Sequence, residues 1–224
     1  MDRALVAALE PIMVKAVLFD LDNCIAPADE VGEELFAPAF DAIRQANRSV
    51  LSEHALEAAF ADCWRHPLDW VAQRHGFSDA MVAAAMRAFQ SLEVGGPMRG
   101  YGDLDALAAL PLQRFLVTSG FRRLQQSKLR ALGIDAWFTE IVIDEVDGPP
   151  PRGKEPIFRD ILAGWRLPPE EVLVVGDNPE SELAAGNRLG MTTVQTLRPG
   201  VPSSEVADLH VHDFHELGRT LDRM

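Results

Sequence analysis

The chain has 224 residues, 47% of them hydrophobic and 25% charged, with a formal net charge of −13. That length suits one domain, or one domain carrying a smaller insertion, with enough apolar side chain to bury a core without disulfides. The acidic balance argues against a nucleic-acid backbone as the main partner. It leaves a small anionic ligand open, because a local cation reverses the field around a site.

Cys24 and Cys63 are the only cysteines. They make neither a disulfide framework nor a zinc spacing, so a reducing, cytoplasmic setting is expected. No apolar run approaches the ~20 residues that span a bilayer. The stretch from Met1 to Pro11 lacks a basic start and an A-x-A site, so it does not read as a signal peptide. It reads as a short extension or half a helix, with Met13 a candidate alternative start.

Val14 to Phe19 is a short, nearly continuous apolar run. It suits a strand covered on both faces of a parallel sheet. The next about 90 residues, from Asp22 to Arg114, far exceed an ordinary βα loop. Their pattern is helical. Leu35, Phe36, Ala39, Phe40 and Ile43 share one face; Leu56, Ala59, Phe60 and Cys63 a second; Met81, Val82, Ala85, Met86 and Phe89 a third. Gly95-Gly96-Pro97 and Gly100-Tyr101-Gly102 end the pattern. Residues 25–96 are therefore expected to form an inserted helical domain, with 1–24 and 97–224 forming the main one.

Strands are expected again at Arg114–Val117, Glu140–Ile143, Val172–Val175, Thr192–Gln195 and, weakly, Leu209–Val211. Helical stripes separate them. The first joins Leu124, Lys128, Leu129 and Leu132 and closes at Gly133; the second runs from Ile157 to Trp165, before Pro168; the third runs from Glu180 to Leu189 and stops at Gly190. Strands alternating with helices give a doubly wound, Rossmann-like α/β parallel sheet.

In such sheets ligand chemistry gathers at the carboxyl ends of strands. The first strand ends in Asp20-Leu21-Asp22. Once the chain turns, one carboxylate can attack phosphorus while the other handles a proton, and both offer oxygens to a hard cation. A solvated turn or a helix cap explains the pair equally simply. The second strand ends in Thr118-Ser119-Gly120, either a phosphate cradle or plain capping. Lys154, after a proline-rich loop, could neutralise a transition state or merely sit in water. The fourth strand ends in Gly176-Asp177-Asn178, with Glu182 five residues on, as cation holders or as caps.

Taken together, acid-x-acid, Thr/Ser, Lys and Gly-Asp on four strand ends, interrupted once by helices, resemble the haloacid dehalogenase (HAD) superfamily, subfamily I type with a helical C1 cap. The resemblance runs over nearly the whole chain. It implies a phosphohydrolase in which Asp20 is the nucleophile, Asp22 the general acid/base, Thr118 with Ser119 the phosphate-binding pair and Lys154 the charge-neutralising lysine. It also implies Mg²⁺ on Asp20, the Asp22 main-chain carbonyl and Asp177. Three positions depart from the family pattern: Cys24 for the usual Thr or Val, Glu182 for Asp, and Gly153-Lys154-Glu155-Pro156 for Lys-Pro-x-Pro, with Arg152 a fallback for the lysine.

The expected partner is a small phosphorylated metabolite, with no nucleic acid and no membrane, and the chain is expected to be a monomer or homodimer. Trp64 to Trp70 is rich in recognition-type side chains. Arg65, His66 or Trp70 is expected to face the site, with Arg65 and His66 the candidate substrate contacts, against a reading in which the tryptophans are core and the polar groups solvated. His54, His75, His210, His212 and His215 show no metal spacing and read as surface residues. A phosphomutase, a dehalogenase and a non-catalytic binding protein with a relic site are the alternatives on the same scaffold. Asp22 argues against the dehalogenase, and the complete acid set argues against the relic.

Overall fold

A computed structural model describes residues 13–224; the reading of Met1–Pro11 lies outside them. The main layer is a six-stranded, all-parallel sheet: β1 (Ala16–Phe19), β2 (Gln113–Gly120), β3 (Glu140–Glu145), β4 (Val172–Gly176), β5 (Thr192–Thr196) and β6 (Leu209–Val211), in the order β3-β2-β1-β4-β5-β6. All six expected strands are present; β2 and β3 run two or three residues further than their apolar cores.

Alternate side chains of the central strands enter opposite cores, as the two-residue period of a strand requires. Val17, Phe19, Leu116 and Val175 pack with α5 (Leu104–Ala109), α6 (Arg122–Leu132) and α9 (Phe214–Leu221). Ala16, Leu18, Phe115 and Val174 pack with α7 (Lys154–Trp165) and α8 (Glu182–Leu189). β1 is buried along its whole length, which is why it reads as an unbroken apolar run. Gly133 and Gly190 end α6 and α8 in the left-handed conformation.

Between β1 and α5 lie α1 (Glu33–Ala46), α2 (Glu53–Asp62), α3 (Leu68–His75) and α4 (Asp79–Phe89). Their apolar faces make a third core around Phe36, Ile43, Leu56, Phe60, Met81 and Phe89. Trp64 belongs to it, stacked on Phe36 at 4.3 Å. Leu124 of α6 and Phe121, the residue that caps it, reach up into the same core. The two crossings of this insertion are tied together by Glu30, whose carboxylate accepts the main-chain N–H groups of Arg99 (2.6 Å) and Gly100 (3.0 Å).

The sheet order reverses between β1 and β4, the place where an open α/β sheet leaves a crevice. Phe19 pairs with Val175, and Asp20 N donates to Val175 O at 3.0 Å. The residues that follow both strands therefore meet at one point.

Candidate active site

Beyond β1 the chain folds back at once. Asn23 takes a positive φ of 57°, which asparagine tolerates better than most residues, and the N–H groups of Ile25 and Ala26 return to Leu21 O. Asp20 and Asp22 are thereby kept at the same strand end. Cys24 fits the turn: it is buried, and its thiol donates to Val175 O at 3.6 Å.

Lys154 is no surface lysine. It is buried in the first turn of α7, its Nζ 2.6 Å from Asp20 Oδ1 and also donating to Val117 O. The loop before it is clamped by Asp144 at the end of β3, which accepts from Arg152 N (2.8 Å) and Gly153 N (2.9 Å). Gly153, at φ 77°, makes the turn into the helix. Arg152 points away, paired with Asp160 at 2.6 Å. The fallback role for Arg152 is thus unsupported.

Asp177 and Glu182 are not caps either: α8 starts after Ser181 without a side-chain cap. One carboxylate oxygen each from Asp20, Asp177 and Glu182 lies within 4.8 Å of the other two. Glu182 is anchored by Asn178 N at 2.7 Å. Burial raises the Asp177 carboxyl to about 8, with Glu182 and Asp20 adding repulsion. Burial raises Glu182 to about 7, chiefly with Asp20 adding repulsion and Lys154 opposing. Asp20 is raised by burial against the pull of Lys154. Burial disfavours the Lys154 charge, but Asp20 and Glu182 more than offset it and hold it as ammonium. Three crowded carboxyls offering hard oxygens fit a divalent cation. The carboxylate of Asp22 lies outside this cluster.

Asp22 instead faces α6. Lys128 Nζ donates to its Oδ1 at 2.6 Å and Gln125 Nε2 to its Oδ2 at 2.8 Å. Gln125 also donates to Thr118 Oγ1 at 2.8 Å and to Ser119 O at 3.3 Å. Thr118 does not cap α6, whose N-cap is Phe121. From the sequence, Lys128 reads as part of the apolar stripe of α6 and nothing marks Gln125. A lysine on the inward face of the helix that follows the Thr-Ser-Gly strand end was the available signal.

These groups floor a cavity of about 340 Å³, a volume suited to a small ligand. Its lining joins Asp20, Asp22, Thr118, Ser119, Lys154, Asp177 and Glu182 to Phe36, Trp64, Phe89 and Phe121 above. Arg65 and His66 line it too, but both are engaged. Arg65 donates to Gly200 O at 2.9 Å, and His66 stacks on Trp70 at 3.9 Å. His75 is no surface residue: it is largely buried and joined to Asp62 at 2.8 Å.

The sequence pattern of the haloacid dehalogenase-like hydrolases matches residues 14–190. A glyceraldehyde 3-phosphate phosphatase of Methanopyrus kandleri is 32% identical over 203 residues, covering 83% of this chain and 85% of that protein. Among solved structures, a HAD phosphatase from Thermococcus onnurineus superposes with a TM-score of 0.61 at 22% identity, over 93% of this chain and 98% of the other. The HAD-hydrolase YfnB from Bacillus subtilis, bound to magnesium, has the same TM-score at 16% identity, over 94% and 99%. The pattern takes in Asp20, Thr118, Lys154, Asp177 and Glu182, and this chain belongs to the haloacid dehalogenase-like hydrolase family.

Proposed function

We propose that the chain is a Mg²⁺-dependent phosphomonoester hydrolase acting on a small phosphorylated metabolite, with glyceraldehyde 3-phosphate the first candidate. The observation that carries this reading is the meeting of Asp20, Lys154, Asp177 and Glu182 on the cavity floor with a second carboxyl, Asp22, beside them.

An Asp20 oxygen attacks phosphorus, the bond from phosphorus to the substrate oxygen breaks, and that oxygen takes a proton from Asp22. Water then attacks the aspartyl-phosphate and gives its proton to Asp22. The phosphorus–Asp20 bond breaks, releasing inorganic phosphate and restoring both carboxyls. Thr118 donates its hydroxyl hydrogen to a phosphoryl oxygen, joined by Ser119, and the Lys154 ammonium offsets charge there. A magnesium ion held by Asp20, Asp177, Glu182 and the Asp22 main-chain carbonyl would supply positive charge against the phosphoryl oxygens.

The helices over residues 25–96 serve as a cap that selects the substrate. Among the described residues lining the cavity, Lys128 and Lys154 are paired with Asp22 and Asp20, whereas Arg65 bonds the neutral main-chain carbonyl of Gly200. Arg65 thus brings an unneutralised charge to the cavity, placed to meet a polar group of the substrate. The relative from Methanopyrus kandleri supports glyceraldehyde 3-phosphate as the first candidate. Arg65 and His66 contact that end of the substrate. With no helix long and apolar enough to cross a membrane among the described residues, and two reduced cysteines, a cytoplasmic monomer or homodimer is the simplest setting.

The test is release of inorganic phosphate from glyceraldehyde 3-phosphate, phosphoserine and p-nitrophenyl phosphate, with Mg²⁺ or with EDTA. Wild type should prefer the first over the second and need the metal. Asp20→Asn should be inactive; full activity in that variant would sink the assignment. Arg65→Ala and His66→Ala should raise KM for glyceraldehyde 3-phosphate and leave the aryl ester unchanged.

A further inference from the structure

Two buried polar side chains have no part in the chemistry above. Gln125 and Lys128 stand one turn apart on α6 and are 2% and 3% exposed. Burying an ammonium is costly unless it is well paired, so its place demands an account. Each of the two donates to a different oxygen of Asp22. A carboxyl held at one oxygen can turn about its Cβ–Cγ bond, whereas one held at both cannot without breaking a bond. Gln125 does more. By donating to Thr118 Oγ1 as well, its amide is held at a second point, which fixes the N–H aimed at Asp22. Gly120 leaves the room for this: a Cβ there would stand 3.1 Å from Gln125 Cγ.

We propose that Gln125 and Lys128 are positioning residues that fix the plane of the Asp22 carboxyl for proton exchange with the leaving oxygen. The inference rests on the phosphatase reading. It makes one discriminating demand. An alkyl leaving oxygen needs the proton, while p-nitrophenolate departs readily without one. A loosened Asp22 must therefore hurt alkyl esters selectively.

The experiment measures kcat/KM, which reports steps up to departure of the leaving group, for wild type, Gln125→Ala and Lys128→Met. The substrates are p-nitrophenyl phosphate and the alkyl phosphomonoester that wild type turns over fastest. Both variants should lose about 100-fold on the alkyl ester and under about 3-fold on the aryl ester. Neither should cause further loss on the alkyl ester when combined with Asp22→Asn. Thermal melts of each variant establish folding, and Gln125→Ala, which removes no charge, serves if Lys128→Met does not fold. Equal losses on the two esters, or losses that add to that of Asp22→Asn, would overturn the inference and leave the phosphatase reading standing. Wild type that turned over no alkyl phosphate would overturn the phosphatase reading itself.

Discussion

Glu182 lies across the bare backbone of Gly176, so close that a Cβ at position 176 would overlap its carboxyl group. The glycine at the end of β4 is thus a seat for the acid five residues after Asp177, and Glu182 is further held by Asn178 N. Gly176→Ala should push Glu182 out of the acid cluster. The Mg²⁺ concentration for half-maximal activity should rise at least ~10-fold. A magnesium titration of phosphate release checks it; an unchanged midpoint would show that Glu182 is dispensable to the ion.

Asp177 is raised to about 8 by burial and by repulsion from Glu182 and Asp20, and Glu182 to about 7 by burial and by repulsion from Asp20. Their folded values exceed the unfolded ones, so the folded state binds more protons, and stability falls as pH climbs towards the folded values. In EDTA the melting temperature should drop on the order of 5 °C between about pH 6 and about pH 9. Mg²⁺ should remove most of that drop, because it binds only the folded acids. Asp177→Asn should flatten the EDTA profile. Calorimetry showing a flat wild-type profile in EDTA would contradict this account.

Asp144 holds the main-chain N–H groups of Arg152 and Gly153, and through them the start of α7. Asp144→Ala removes both bonds and should cost about 2 kcal/mol in urea denaturation. It should also lower kcat by loosening Lys154. Loss of stability with full turnover would separate the clamp from the chemistry.

Burial pushes the Cys63 thiol up to about 12, with Asp62 adding repulsion, and pushes Cys24 well above its ordinary value. Thiol reagents attack the thiolate. At about pH 8 neither cysteine should react with an aromatic disulfide in the native protein, although Cys63 lines the cavity. Both should react once the chain is unfolded. Rapid native labelling at Cys63 would show a thiolate where none is expected.

The centre of the sheet is readable because β1 and β4 are covered on both faces and so appear as unbroken apolar runs. Three helices are not. α3 sits between Pro67 and the left-handed Gly76, standard punctuation for a helix, but its Arg, His and Trp neighbours draw the eye to recognition instead. α5 and α9 are short and follow glycine or aspartate turns. At the site, Asp20, Asp22, Thr118, Lys154 and Asp177 are legible because each ends a strand or opens a helix. Gln125 and Lys128 are not, since each acquires its meaning from Asp22, 103 and 106 residues away; Asp144 is not, because its partners are main-chain N–H groups, which any residue carries. A lysine bound for an ion pair and a lysine on a solvated face are written alike.

One helix serves three neighbours. Leu129 and Leu132 of α6 lie under the sheet, Phe121 and Leu124 lie in the core of the inserted helices, and Gln125 and Lys128 grip Asp22. A repacking of the inserted helices that rolled α6 by a small angle would swing the Asp22 carboxylate with it. Substitutions deep in the insertion, far from phosphorus, can therefore alter turnover as a gear alters a shaft, without touching the substrate.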